Sequence, residues 1–268
     1  MGRGGANLIC EAALSSIKVE GIAPLEGASS QSAALDVDEG ASVKVQGALH
    51  GRHCMFENRT DAGQRIAEAI AERSYDEPIV YALPRGGVPI AIEIGRRLGA
   101  PIDLVLVRKI GAPGYPEVAL GAVTDGEEAL TVVNPEVARR SGASPAYLQQ
   151  ARARELAEIE RRRAIYLGER PRPNPKGRTA IVADDGLATG ATARAAGAAL
   201  RAQGAARLVL AAPVASRDAA AALTDIFDDV ICLEQPEPFY GVGASYRDFH
   251  QLSDAEVVDA LRDFSLRG

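Results

Sequence analysis

From residue 55 onward, short uninterrupted apolar runs alternate with longer stretches in which apolar residues recur every three or four positions. Runs without a polar face read as strands buried on both sides, and the 3.6-residue rhythm reads as helices laid over them. The strand-like runs are 78–84 (PIVYALP), 101–109 (PIDLVLVRK), 119–124 (ALGAVT), 129–134 (ALTVVN), 178–183 (RTAIVA), 207–214 (RLVLAAPV) and 229–234 (DVICLE). Helical spacing covers 60–73, where Ile66, Ala69 and Ile70 follow Thr60 as the expected cap, and about 88–98. A longer helix should run from Ser144-Pro145, a cap followed by a first-turn proline, to about Leu167. Further helices are expected from Gly190, over 217–224 and over 253–264. Residues 110–118 (IGAPGYPEV) hold two prolines and two glycines and are expected to be a loop. Strands alternating with helices predict an α/β fold, a twisted and mainly parallel sheet with helices on both faces.

The first 54 residues break this pattern. All twelve aromatic residues lie at Phe56 or beyond, and the earlier stretch is rich in Gly, Ala and Ser. Without aromatic anchors such a segment buries little apolar area against the entropy of ordering it. The expectation is a poorly ordered extension over 1–54, the product of an upstream start, and a working domain over 55–268. A small hairpin around 41–47 (ASVKVQG) is the alternative, and LICEAAL is too short for a secretory signal.

Composition narrows the function classes. With 47% apolar and 25% charged residues the chain is globular, and it has no run of about 18 apolar residues that would span a membrane. A net charge of -6 sets aside nucleic acid as a partner held by overall charge. Cys10, Cys54 and Cys232 are odd in number and form no CxxC, which fits neither a disulfide framework nor a zinc site and suits a reducing cytoplasm. His50, His53 and His250 form no HExxH, so metalloprotease readings start weak.

The strongest chemical signal is 179–194, TAIVADDGLATGATAR. A buried strand delivers two consecutive acids, Asp184 and Asp185, at its carboxyl end. A loop of small residues, Ala188, Thr189, Gly190, Ala191 and Thr192, then opens a helix. Small residues let backbone amides approach an anion, and the helix N-terminus adds its dipole. Acids beside such a cradle suit a sugar phosphate, although a plain capped helix behind a polar turn is the bland alternative. There is no Gly-Lys-Ser/Thr of a Walker loop and no GxGxxG after the first strand.

This segment resembles the phosphoribosyl diphosphate (PRPP) motif of type I phosphoribosyltransferases. The likeness extends to LPRGGVP, to VRKIGAPGYPEVALGAV, to the tail FYGVGASYRDFHQLSDAEVV and to Phe56–Gly63, and it points to a bacterial subgroup of predicted phosphoribosyltransferases covering 55–268. The resemblance implies that Asp184 and Asp185 bind the ribose hydroxyls and that Ala188 to Thr192 wrap the 5-phosphate. Arg85, Gly86 and Gly87 would hold pyrophosphate, and any cis peptide there would join Pro84 to Arg85. Arg108 and Lys109 end the next strand. Lys109 would meet the leaving pyrophosphate from a flexible catalytic loop over 110–118.

Where hypoxanthine-guanine enzymes place an acid, this chain has Ala188. Glu117 in the loop is the substitute candidate, as in adenine-type enzymes. Tyr246 and Phe249 are the candidates for stacking a flat acceptor. The implied reaction transfers phosphoribosyl from PRPP to a nitrogenous acceptor such as a nucleobase, releasing pyrophosphate. Mg²⁺ would be held through PRPP and water, with no direct protein ligand. No membrane partner is implied, and a homodimer is the candidate assembly. A PRPP-binding regulator without turnover is the alternative.

Overall fold

The computed structural model describes residues 42–45, 55–126 and 129–267. Six strands form one sheet in the order β1-β9-β8-β7-β2-β3, with every neighbouring pair parallel. They are β1 (Ser42–Val45), β2 (Ile79–Ala82), β3 (Ile102–Leu104), β7 (Thr179–Ala183), β8 (Arg207–Val214) and β9 (Asp229–Glu234). A separate antiparallel sheet joins β4 (Val107–Ala112), β5 (Tyr115–Thr124) and β6 (Thr131–Val133). The helices are α1 (Arg59–Ala71), α2 (Gly87–Leu98), α3 (Pro135–Ser141), α4 (Pro145–Leu167), α5 (Ala191–Ala202), α6 (Arg217–Ala222) and α7 (Asp254–Arg267).

Side chains along the central strands point alternately to two apolar layers. Val80, Ala82, Ile181, Ala183, Val209 and Ile231 face α1, α2 and α7, whereas Ile79, Tyr81, Val182, Leu208 and Leu210 face α5 and α6. Both faces are thus covered, which is why these strands read as unbroken apolar runs. No helix among the described residues is long and apolar enough to cross a membrane.

The secondary structure differs from the sequence expectations in five places. Ser42–Val45, expected within a poorly ordered extension or a hairpin, lies parallel to β9 as an edge strand, with Ser42 opposite Asp229. The other residues of that extension, 1–41 and 46–54, lie outside the described residues. The cap of α1 is Asn58, whose side chain accepts from the Asp61 amide, rather than Thr60. The run 101–109 is two strands, because the chain leaves the parallel sheet at 105–106, where the Leu106 amide turns to donate to the Asp125 carboxylate.

Residues 110–118 are the turn and arms of a hairpin rather than a loop. Pro113 and Gly114 sit between Ala112 and its partner Tyr115, and Gly114 has φ +73, the geometry that Pro-Gly supplies to a type II turn. Finally, α3 is absent from the expected helices, although Asn134-Pro135 repeats the cap-then-proline signal that marks α4.

Candidate active site

Two loops meet at the carboxyl edge of the sheet. β2 and β7 are parallel neighbours in register, with Ala82 opposite Ala183, and the Leu83 amide donates to the Ala183 carbonyl at 2.9 Å. The segments that leave them, 84–87 and 184–190, therefore run side by side. The Pro84–Arg85 peptide is cis, at the bond expected from the sequence. A Cβ on Gly86 would collide with the Asp185 carboxylate, and one on Gly87 with the Ala183 carbonyl. The two glycines are needed at this point because the loop presses directly on the acidic strand end.

Asp184 and Asp185 stand where β7 ends. The Asp184 carboxylate accepts from the Asp185 amide at 2.9 Å. Burial, and then the charge of Asp185, holds the Asp184 carboxyl well above the usual carboxylate range. Burial also raises the Asp185 carboxyl, offset by the hydrogen bond and charge of Arg59. Beyond them, Gly190 adopts φ +73 and starts α5 with no side chain capping its first turn. Thr189 and Ala191 are half-buried, and Ala188 and Thr192 are exposed. Ala191 donates weakly to the Thr189 hydroxyl at 3.5 Å, and the Ala188 carbonyl accepts from the Ser216 hydroxyl at 2.9 Å. The loop therefore presents small side chains and uncapped amides, the elements of an anion cradle.

Arg85 is partly exposed and lies 3.7 Å from Asp254 at the start of α7. Arg108 on β4 is paired with Glu155 of α4, its Nε and Nη2 both 3.0 Å from Oε2. Lys109 and Glu117 are exposed on β4 and β5, arms of the hairpin that carries the 113–114 turn.

Tyr246 requires a correction. It is only 5% exposed, packed between Phe56 and Phe249 at ring-centroid distances of 5.3 and 5.0 Å, and its hydroxyl donates to the Asp185 carbonyl at 2.6 Å. Its ring faces are taken by neighbouring aromatics, so it supports the acidic pair rather than offering a stacking surface. Phe249 is half-buried, with the Arg59 guanidinium 3.9 Å over its ring. The aromatic that is open at this edge is Tyr240, 83% exposed. It lines a hollow of about 200 Å³ with Met55, Glu234, Pro236 and Pro238.

Sequence reasoning missed Arg59. It is 9% exposed, and its Nε donates to Asp185 Oδ2 at 2.7 Å. The signal was present, since Arg59 belongs to the Phe56–Gly63 segment, but nothing local ties that segment to residue 185. A larger cavity of about 390 Å³ lies away from these loops, between β3, the last turn of α5 and residues 172–176. Among the described residues no group of three or more His, Cys, Asp or Glu side chains is arranged to hold a metal ion.

Comparisons with known proteins place the chain in a family. Residues 56–248 match the family described as the phosphoribosyl transferase domain. Two Mycobacterium tuberculosis proteins, from strains H37Rv and CDC 1551 and each named as a candidate phosphoribosyl transferase, are 42% identical over 218 residues, 80% of this chain. The chain spans about half the length of these curated relatives, 49%. The crystal structure of TT1426 from Thermus thermophilus superposes with a TM-score of 0.68 at 42% identity, covering 78% of this chain and 99% of that one. With the acidic strand end, the small-residue loop and the double-glycine loop on one sheet edge, and these relatives beside them, the chain belongs to the phosphoribosyltransferase family.

Proposed function

We propose that the protein transfers a phosphoribosyl group between PRPP and a nitrogenous acceptor, probed first among nucleobases, with release of pyrophosphate. The observation that carries this reading is the apposition of the Gly86 backbone to the Asp185 carboxylate, which brings the 84–87 loop against the acid pair at one edge of the sheet. In this reading the uncapped amides of 188–192 hold the 5-phosphate, the acids take the ribose hydroxyls, and Arg85 with the 86–87 backbone takes pyrophosphate. The C1–O bond to pyrophosphate breaks as the acceptor nitrogen bonds to C1. Negative charge then grows on pyrophosphate beside Arg85 and Lys109, while positive charge grows on the ribose beside the acids.

Magnesium is part of the substrate here. It would enter on the pyrophosphate and ribose hydroxyls, and Asp184 and Asp185 are the side chains that would meet its water shell. The hairpin carrying Lys109 and Glu117 is the element suited to cover the cleft and exclude water that would otherwise intercept the ribosyl cation. The acceptor would enter beside Tyr240, whose open ring lies at the same edge.

Calorimetric titration with Mg-PRPP, followed by a nucleobase panel monitored for pyrophosphate, tests the proposal. Binding followed by acceptor-dependent release is expected. Absence of binding would refute the reading, and binding without release for any acceptor would recast the protein as a PRPP-responsive regulator.

A further inference from the structure

Adjacent acids on one strand end invite a shared role, yet their surroundings here are unequal. Asp185 is clasped on several sides. Its Oδ2 lies 2.7 Å from Arg59 Nε, its carboxylate abuts Gly86, and its carbonyl accepts from Tyr246. Asp184 accepts instead from the amide of Asp185, a bond within its own segment. Arg59 is itself held, lying over the Phe249 ring and donating from Nη1 to the His250 carbonyl at 2.9 Å. Helix α1 and the tail 246–250 thus converge on one carboxylate through a side chain that the proposed transfer chemistry does not use.

We propose that Arg59 is a positioning residue that fixes Asp185 in place and leaves Asp184 as the carboxylate that meets the ribose hydroxyls. The inference rests on the PRPP reading. Its physical basis is that two neighbouring, partly buried carboxylates repel, and a guanidinium, which stays protonated, can neutralise one of them permanently. The charged and titratable groups against Asp185 are Asp184 on its own segment, Arg59 from α1 and Tyr246 from the tail, and of these only Arg59 is cationic. With Asp185 matched by Arg59, Asp184 is the acid of the pair with no guanidinium bonded to it. The same arrangement links Phe56–Gly63 to a strand end more than a hundred residues away. Phe56 seats Tyr246, Asn58 caps α1, and Arg59 reaches Asp185.

The test is a double-mutant cycle on the full chain, read by Mg-PRPP calorimetry, with a second measurement that needs no ligand. Arg59→Met and Asp185→Asn should each weaken Mg-PRPP about tenfold, and the double variant should lose no more than either alone, because the two act as one unit. Asp184→Asn should cost more than Asp185→Asn. In the ligand-free protein, carboxyl ¹³C NMR should show Asp185 titrating at least about one pH unit higher in Arg59→Met than in wild type, the equivalent of a tenfold change. Arg59→Lys, which keeps the charge, should move that titration less.

Multiplicative losses in the cycle, equal losses for the two Asn variants, or an unmoved Asp185 titration would each overturn the proposal. If Arg59→Met fails to fold, the comparison of Asp184→Asn with Asp185→Asn still decides it. A wild type that binds no Mg-PRPP would refute the phosphoribosyl reading, while the NMR titration would still show whether Arg59 governs Asp185.

Discussion

Gly86 leaves no room for a side chain at the site. Its backbone meets the Asp185 carboxylate so closely that one added methyl group must displace either the loop or the acid. Gly86→Ala is expected to weaken Mg-PRPP at least about tenfold, roughly 1.4 kcal/mol, as shown by calorimetry, while circular dichroism reports a native fold. The acids themselves predict a pH signature. Their folded pKa values are raised, so over mildly acidic pH the folded pair keeps a proton that the unfolded chain has released. Raising the pH through that range therefore lowers stability, and at the same time frees a carboxylate to accept from the ribose, so PRPP affinity rises. Thermal melts and calorimetry across a pH series should show these opposite trends, and Asp184→Asn should flatten both.

Among the elements, the β4–β5 hairpin and α4 carry separable duties. Lys109 stands exposed on β4, and no carboxylate among the described residues is paired with it. If it meets pyrophosphate chiefly in the transition state, Lys109→Ala should lower kcat more than PRPP affinity, whereas equal losses would place it in ground-state binding. Helix α4 is pinned from beneath by Arg163, buried between Asp103, at 2.8 and 3.0 Å, and Asp125, at 3.1 Å. Burial pushes the Asp125 carboxyl up to about 6 even so.

Arg163→Met removes the guanidinium that pairs Asp103 and leaves Asp125 with Arg172, at 3.4 Å, as its remaining cation, and should cost about 3–5 kcal/mol. At roughly 2–4 °C per kcal/mol the melting temperature should drop by more than about 6 °C. Adding Asp103→Asn and Asp125→Asn should restore much of the loss. The elements were legible where a terminal signal marked them, as Ser144-Pro145 did for α4, and failed where one dipeptide decided the outcome. Pro113-Gly114 closes a tight hairpin instead of opening a loop, because the flanking residues find antiparallel partners across it.

For the whole molecule, the edge of the main sheet is the quantity to test. Deleting 1–54 removes β1 and leaves β9 as the edge strand, whereas deleting 1–41 keeps the pairing of Ser42–Val45 with β9. The longer deletion is expected to lower the melting temperature by a few degrees, about 1 kcal/mol at this size, and the shorter one to leave it unchanged. PRPP binding should survive both, because the acids leave β7, two strands in from β9. A longer deletion that melts like the full chain would show that β1 adds nothing to the stability of the sheet.

What the sequence determined by itself is what local chemistry can encode. Apolar runs such as 207–214 marked strands covered on both faces. Asp184-Asp185 followed by Ala188–Thr192, and Pro84–Gly87 before its own apolar stretch, marked two strand ends that turn directly into helices. What only the tertiary structure decided are relations between residues far apart in the chain. Arg59 is paired with Asp185 across 126 positions, Tyr246 is enclosed by Phe56 and Phe249, and Ser42–Val45 finds β9. Periodicity reports which face of an element is apolar, but not which distant charge or ring will lie against it. The unequal roles assigned to two neighbouring, identical acids follow from that difference, since the sequence presents them as equals and the packing of α1 and the tail favours one.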